Sequence, residues 1–326
     1  MSPVDYTLAR GEPNNHSAAR ALCCHHRDVM SDSMTATVPA GGDEPPEPPV
    51  SFARRFAAVC AAQGPLVFGL DPSADLLDSW GLGDSADGLD RFADIVLAAA
   101  AGTVGLVKPQ SAFYERHGWR GVRTLQRLAA SARSAGQLVV LDIKRGDVGT
   151  TNDAYAEAYL GKGAPLAADA ITVHPYLGLG AMGSFVSRAA ESGSCLLVVT
   201  RSSNPDGRAI QAAAAGGASV EQQLLRDIGA LNARLAPGGI GPVGAVVGPT
   251  HQRPELDLAA ANCIFLAPGV GAQGATPADV AAVFAACPDR VMPSASRSLL
   301  SAGPDVGRLR DALSALAAEF RRILVG

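Results

Sequence analysis

The sequence has little net charge and no long apolar run. Its 27 Lys and Arg residues nearly balance 31 Asp and Glu residues, and a net charge of −4 gives no support for binding nucleic acid or an anionic membrane. No stretch reaches the roughly 18 apolar residues of a membrane span, and the polar N-terminus lacks the apolar core of a signal peptide. These absences predict a cytoplasmic protein with no nucleic-acid or membrane partner.

The six cysteines show neither the spacing of a disulfide scaffold nor that of a zinc site. Cys60, Cys195, Cys263 and Cys287 lie in apolar or Ala-rich runs, which favours buried thiols in a reducing compartment. The run CCHH at 23–26 holds possible metal ligands, but four consecutive ligands cannot readily surround one tetrahedral ion. No metal site is therefore predicted.

The first 48 residues differ in composition from the rest of the chain. They carry little periodic apolar pattern and run into VPAGGDEPPEPPV, whose prolines and acidic residues rule out a packed element. We predict a disordered extension over 1–48 and a single folded domain over 49–326.

Short runs rich in Val, Ile and Leu recur along this domain, separated by segments with helical spacing. Apolar runs of this kind, each followed by a helix, are typical of buried parallel strands with right-handed crossovers. The runs are 65–71, 104–110, 138–144, 170–176, 195–200, 244–248, 263–269 and 290–296.

A closed barrel fits this pattern better than an open sheet. An open doubly wound sheet more often carries a Gly-rich dinucleotide turn after its first strand, whereas the first run here ends in GLDPSADLL. Eight strand–helix units over about 270 residues predict an α/β fold of the (β/α)₈ TIM-barrel type, with its site at the carboxyl ends of the strands.

Charged residues crowd the end of the third strand, in VVLDIKRGDVGTT. Alternation places Asp142 and Lys144 on one side of the strand and Ile143 on the other. If Ile143 packs against helices, both charges enter the barrel mouth, where Lys108 of the neighbouring strand can reach Asp142. With Asp147 beyond the strand, the pattern predicts an alternating Lys–Asp array in which each charge offsets its neighbour. The alternative is a salt-bridge network that only braces the barrel.

The ends of the last two strands suggest a phosphate site. PSASRSLL presents small residues and Arg297 where phosphate-binding barrels use the loops after strands seven and eight. APGVGAQGATP supplies glycines that let backbone N–H groups approach an anion. Together the two segments predict a phosphorylated small-molecule ligand.

The Asp-x-Lys-x-x-Asp pattern of DIKRGD resembles the signature of the orotidine 5′-phosphate decarboxylase family, in the bacterial branch with mycobacterial and actinobacterial enzymes. The resemblance runs from about residue 51 to the C-terminus and rests on several stretches in the expected order. These are FGLDPS, KPQSAFYE, DIKRGDVGTT, TRSSNP, APGVGAQG and SASRSLL.

The resemblance implies decarboxylation of orotidine 5′-phosphate to UMP and CO₂ without a cofactor, the last step of de novo pyrimidine nucleotide synthesis. It implies that Lys144 protonates pyrimidine C6 and that Lys108 contacts ribose and orients Asp142. Asp147 and Thr151 would reach across a homodimer interface into the partner's site, so that each active site is shared.

The resemblance also implies a set of substrate-binding residues. Asp71 would bind the ribose hydroxyls, while Gln273 and Arg297 would hold the phosphate. The pyrimidine edge would meet either Ser202 or Ser203, with Asn204 nearby.

Two other functions remain open at this point. A metal-dependent sugar-phosphate decarboxylase or aldolase of the same barrel group could carry the same strand, although KPQSAFYE and TRSSNP favour the nucleotide enzyme. A non-catalytic phosphate-binding barrel is disfavoured because both lysines and both aspartates of the array are present.

Overall fold

The computed structural model describes residues 48–161, 163–249 and 256–326. Apart from Pro48, the predicted disordered extension lies outside these residues, and so does the CCHH run at 23–26. Within the described ranges, no helix is both long enough and apolar enough to cross a membrane.

Eight parallel strands close into a barrel in which each strand pairs with the next and the last pairs with the first. The strands are β1 (Val67–Leu70), β2 (Leu106–Pro109), β3 (Leu138–Arg145), β4 (Ala170–Val173), β5 (Cys195–Arg201), β6 (Val243–Val247), β7 (Phe265–Val270) and β8 (Val291–Ala295). Each strand lies within one of the apolar runs of the sequence or extends one residue beyond it, so the predicted (β/α)₈ barrel is confirmed.

Alternation along the strands divides the apolar core into two layers, as β3 illustrates. Leu138 and Val140 belong to a cluster that fills the inside of the barrel. Val139, Leu141 and Ile143 belong to the larger cluster between the strands and the outer helices. A barrel of buried parallel strands needs apolar side chains on both faces, which explains the nearly continuous apolar runs.

Helices surround the barrel, and several are capped by a Ser, Thr or Asp side chain that accepts a backbone N–H of the first turn. They are α1 (Phe52–Gln63), α2 (Ala74–Ser79), α3 (Ala86–Ala100), α4 (Ser111–Glu115), α5 (Gly118–Ser134), α6 (Gly149–Tyr159), α7 (Gly183–Ser192), α8 (Arg208–Gln211), α9 (Val220–Leu235), α10 (Pro277–Val283), α11 (Arg297–Leu300) and α12 (Val306–Leu324).

Helix α1 precedes the barrel and covers its amino-terminal end. Phe52, Phe56 and Cys60 pack into the cluster inside the barrel. Arg55 pairs with the buried Asp169 just before β4 and also donates to the carbonyl of Gly193. One end of the barrel is thereby closed, which leaves the carboxyl ends of the strands for a ligand.

The connections that follow β5 and β6 contain elements other than α-helices. Between β5 and α9 lie α8 and a small hairpin formed by Ala214–Ala215 and Ala218–Ser219. In the link after β6, where the sequence favoured only a short helix, the structure has a 3₁₀ turn at Ala259–Ala261, and residues 250–255 are not described.

Candidate active site

A cavity of about 290 Å³ opens at the carboxyl ends of the strands. Its walls combine apolar side chains from β5, β6 and β7 with polar side chains from the ends of other strands and from the loops that follow the strands. The predicted site residues that line it are Asp71, Lys108, Asp142, Lys144, Ser202, Ser203, Asn204, Gln273 and Arg297.

Asp142 stands between two lysines at the floor of this cavity. Lys108 Nζ donates to Asp142 Oδ2 at 3.0 Å, and Lys144 Nζ donates to Asp142 Oδ1 at 2.6 Å. Lys108 also lies 4.0 Å from Asp71 Oδ1. Lys108 and Asp142 are only 5% and 6% exposed, so they can remain charged only because each has opposite charges beside it.

Burial and charge act on Asp142 in opposite directions. Burial by itself raises the pKa of a carboxyl group, but the charges of Lys108 and Lys144 and hydrogen bonds from Lys144 and Thr172 outweigh it. The pKa of Asp142 is therefore held well below its ordinary value. For Lys108, burial lowers the pKa, yet the charges of Asp142 and Asp71 raise it above the ordinary lysine value. Lys108 and Asp142 are therefore both charged near neutral pH.

Thr172 and Gln110 hold this array in place. Thr172 Oγ1 donates to Asp142 Oδ1 at 2.7 Å and accepts the backbone N–H of Lys144 at 3.1 Å. Gln110 Nε2 donates to the carbonyl of Asp142 at 3.2 Å, and Gln110 Oε1 accepts from Lys144 Nζ at 3.2 Å. Neither was assigned a role from the sequence, although alternation in β4 points Thr172 into the barrel beside Ala170.

Lys144 has a left-handed backbone conformation, with φ of 46°. This conformation costs a residue with a Cβ atom about 1–2 kcal/mol, so the neighbouring contacts must hold it. It coincides with a shift of pairing register between β3 and β4, from Leu141 to Arg145. The irregular end of β3 thus brings the ammonium group over Asp142.

The opposite end of the cavity is suited to an anion. Arg297 begins α11 just after β8, and Gln273 lies in the loop after β7. Gly269 near the end of β7 and Gly271 in that loop have φ of 99° and 76°, which a residue with a Cβ atom rarely adopts. Arg297 and Gln273 are both exposed at the cavity mouth.

Asp71 and Ser296 present polar atoms to the cavity. Among the described residues, Asp71 Oδ1 and Ser296 Oγ are buried without a hydrogen-bond partner. Buried polar atoms are rarely left unpaired in proteins, so these two are available to hydroxyl or phosphate groups of a ligand.

Ser202 and Ser203 differ in their surroundings. Gln211 contacts Ser202 twice: its Oε1 accepts the backbone N–H at 3.1 Å and its Nε2 donates to Oγ at 2.8 Å. Ser203 packs by its backbone against Gly248 at the end of β6. The Ser202 hydroxyl is therefore already engaged within its own loop.

Asp147 and Thr151 do not line the cavity of their own subunit. The backbone N–H of Asp147 donates to Asn152 Oδ1 at 3.0 Å, and its Oδ1 accepts from the backbone N–H of Val148 at 2.8 Å. Thr151 is exposed on α6. Of the predicted site residues, only these two lie apart from the others.

Within the described ranges, no group of three or more His, Cys, Asp or Glu side chains comes together as a metal site.

Comparisons of the sequence and of the structure with known proteins point to one family over most of the chain. The chain matches the family model described as Orotidine 5′-phosphate decarboxylase / HUMPS family over residues 64–312. The orotidine 5′-phosphate decarboxylase of Salinispora arenicola is 48% identical over 277 residues, which are 85% of this chain and 99% of the relative. That of Streptomyces coelicolor is 48% identical over 272 residues, or 83% and 97% of the two chains. A crystal structure from Streptomyces avermitilis with the same assignment aligns with a TM-score of 0.80 and 46% identity, covering 85% of this chain and 97% of that one.

Proposed function

This chain belongs to the orotidine 5′-phosphate decarboxylase family, and on that premise we propose that it converts orotidine 5′-phosphate to UMP and CO₂ in pyrimidine nucleotide synthesis. The observation that carries the mechanism is the hydrogen-bonded Lys108–Asp142–Lys144 array on the floor of a cavity whose far end is suited to phosphate.

The substrate lies along the cavity with its phosphate at Arg297 and Gln273. Arginine binds phosphate oxygens with paired N–H donors, and the positive-φ glycines at the end of β7 and just after it let the backbone approach closely. The ribose hydroxyls meet Asp71 and Lys108, which lie 4.0 Å apart. This orientation brings the pyrimidine toward Lys144.

The reaction breaks the bond between pyrimidine C6 and its carboxylate. CO₂ leaves, the electron pair stays on C6, and the proton on Lys144 Nζ is transferred to that carbon to give UMP. Solvent then returns a proton to Lys144. A fixed ammonium group beside the carbanion stabilises charge as it develops and also supplies the proton, so no organic cofactor is needed.

Asp142 orients the lysine. Its two oxygens are divided between Lys108 on one side and Lys144 and Thr172 on the other, so the carboxylate cannot rotate without losing contacts. The contact of 2.6 Å between Asp142 Oδ1 and Lys144 Nζ holds the proton donor in place while the carbanion forms. Preorganised charge of this kind needs no rearrangement during the reaction.

The active form is a homodimer with shared sites, in which Asp147 and Thr151 enter the partner's cavity. Val148, Tyr176 and Leu177 support this proposal because these apolar side chains are 55%, 83% and 52% exposed in the loops after β3 and β4. The two loops begin side by side, since the backbone N–H of His174, just after β4, donates to the carbonyl of Arg145 at the end of β3. An apolar surface next to Asp147 is suited to a second copy of this chain.

We place the enzyme in the cytoplasm. Cys60, Cys195, Cys263 and Cys287 support this location because all four are buried free thiols. Burial raises the pKa of Cys60 and of Cys195 to about 12, so both stay protonated and unreactive.

The purified protein is expected to consume orotidine 5′-phosphate, followed by its loss of absorbance, at the same rate with and without EDTA. A protein that does not turn the substrate over contradicts the proposed function. Loss of activity in EDTA, restored by a divalent metal, would instead indicate a metal-dependent sugar-phosphate relative.

Both serines line the cavity, and Ser203 is proposed to contact the pyrimidine because its backbone lies against Gly248 at the end of β6, whereas Ser202 is turned toward Gln211 of its own connection. Ser203→Ala is expected to lower kcat/KM by about 10- to 100-fold, as expected for the loss of one hydrogen bond to the reacting group. Ser202→Ala is the matched control, with an expected loss below about fivefold. A larger loss in Ser202→Ala reverses the assignment.

A further inference from the structure

An ion pair buried beside the cavity has no part in the mechanism above. Arg201 ends β5, and Glu221 is the second residue of α9. Arg201 Nε donates to Glu221 Oε2 at 2.9 Å and Nη2 donates to Oε1 at 2.8 Å. The side chains are only 6% and 1% exposed, so the pair is almost fully removed from water.

The pair joins the two ends of one long connection. Between Arg201 and Glu221 run residues 202–220, which begin with the cavity-lining Ser202, Ser203 and Asn204. The carboxylate also lies in the first turn of α9, where the helix dipole favours a negative charge. The ion pair therefore closes the base of the connection that carries the pyrimidine contact.

The start of this connection is held from several sides. Gly248 donates its backbone N–H to the carbonyl of Arg201 at 2.8 Å. Gln211 holds Ser202, and Gly207 approaches so closely that a Cβ there would lie 2.5 Å from Ser202 Oγ. Ser203 lies directly between these contacts and the packing against Gly248. Any movement of Arg201 would therefore pass to Ser203 through two peptide bonds.

We infer that Arg201 and Glu221 are positioning residues that fix Ser203 against the pyrimidine of the substrate. The inference rests on the proposed function. A pair that served stability alone would not need to be ionic, because well-packed apolar residues commonly replace a buried ion pair without loss of stability. Its bidentate geometry instead sets both the distance and the angle between β5 and α9.

The chain offers a matched control at the other end of the barrel. Arg55 pairs with Asp169, whose side chain is 6% exposed, and this pair joins α1 to the start of β4. It resembles the Arg201–Glu221 pair in chemistry and in the burial of its acid but lies far along the strands from the cavity. Arg55→Met should lower the melting temperature and leave kcat/KM unchanged.

A double-mutant cycle with Ser203 separates positioning from stability. The variant Arg201→Met/Glu221→Leu removes both charges of the pair and is expected to lose about 10- to 100-fold in kcat/KM for orotidine 5′-phosphate, as a misplaced contact does. In a Ser203→Ala background, the same pair of substitutions is expected to cost less than about threefold, because the contact that it positions is already gone. Arg201→Lys keeps the charge but not the bidentate geometry. If the apolar variant does not fold, Arg201→Lys can be combined with Ser203→Ala in the same double-mutant cycle.

The outcomes separate two failures. Absence of turnover by the unsubstituted protein contradicts the proposed function. The inference is overturned if the unsubstituted protein turns over normally and Arg201→Met/Glu221→Leu lowers kcat/KM equally with Ser203 and with alanine at that position. The ion pair would then be structural only. An equal effect of Arg55→Met on kcat/KM would overturn it in the same way.

Discussion

Replacing Lys144 with alanine is expected to lower kcat for orotidine 5′-phosphate by about 10⁴-fold or more, because proton donation and charge stabilisation are lost together. Lys144 Nζ is held 2.6 Å from Asp142 while its side chain remains 40% exposed toward the cavity. Lys108 cannot replace it, since Lys108 is buried between Asp142 and Asp71. Single-turnover assays at high enzyme concentration would measure the residual rate.

Two measurements keep this result from being confused with unfolding. Lys144→Ala should bind UMP within about tenfold of the unsubstituted protein, because phosphate binding supplies much of the affinity at the other end of the cavity. Arg145→Met is the matched control: it removes the neighbouring cation, which pairs with Glu115 outside the cavity, and should cost less than about tenfold. Residual turnover of Lys144→Ala within tenfold would contradict the proposed proton donor.

The barrel could be predicted from the sequence because its strands are short, apolar and buried on both faces. Each apolar run matches one observed strand, which lies within the run or extends one residue beyond it, and alternation in β3 placed Asp142 and Lys144 on the inner side and Ile143 on the outer side. The ends of parallel strands meet at one end of a barrel, so residues distant in sequence could be assigned to one site. The small helices α2, α4 and α8 carry too little periodic pattern to be predicted in the same way.

Contacts that depend on exact geometry could not be predicted. Thr172 lies within a strand whose other residues are apolar. It stabilises the Asp142 carboxylate only because its hydroxyl lies 2.7 Å from Asp142 Oδ1, across the β3–β4 pair. The left-handed conformation of Lys144 has no sequence signal because lysine rarely adopts it. Arg201 and Glu221 are 20 positions apart and meet only because the connection between them folds back on itself.

The sequence also could not distinguish Ser202 from Ser203 as the residue that contacts the pyrimidine. Both follow β5 directly and both line the cavity, so their positions in the sequence do not distinguish them. The distinction comes from Gln211, nine residues further on, in a short helix. Local sequence therefore predicts which segment meets the substrate, while tertiary contacts decide which side chain of that segment does so.

The second large effect concerns the proposed shared site. Asp147→Ala should lower kcat by about 10³-fold or more, because the partner's Lys144 would lose a neighbouring charge that orients it. When inactive Asp147→Ala subunits are mixed with inactive Lys144→Ala subunits and refolded together, activity should recover. Half of the dimers are then hybrids with one intact site of two, so recovery should approach about a quarter of the unsubstituted activity.

A second mixture is the control for this recovery. Lys144 and Asp142 contact each other within one subunit at 2.6 Å, so Lys144→Ala and Asp142→Ala subunits cannot restore each other's site. That mixture should stay inactive at every ratio of the two variants. Recovery in both mixtures would indicate contamination by unsubstituted protein, and recovery in neither would contradict sharing of Asp147. Only recovery confined to the Asp147 mixture fits the observed arrangement, in which Asp142 lines its own subunit's cavity and Asp147 does not.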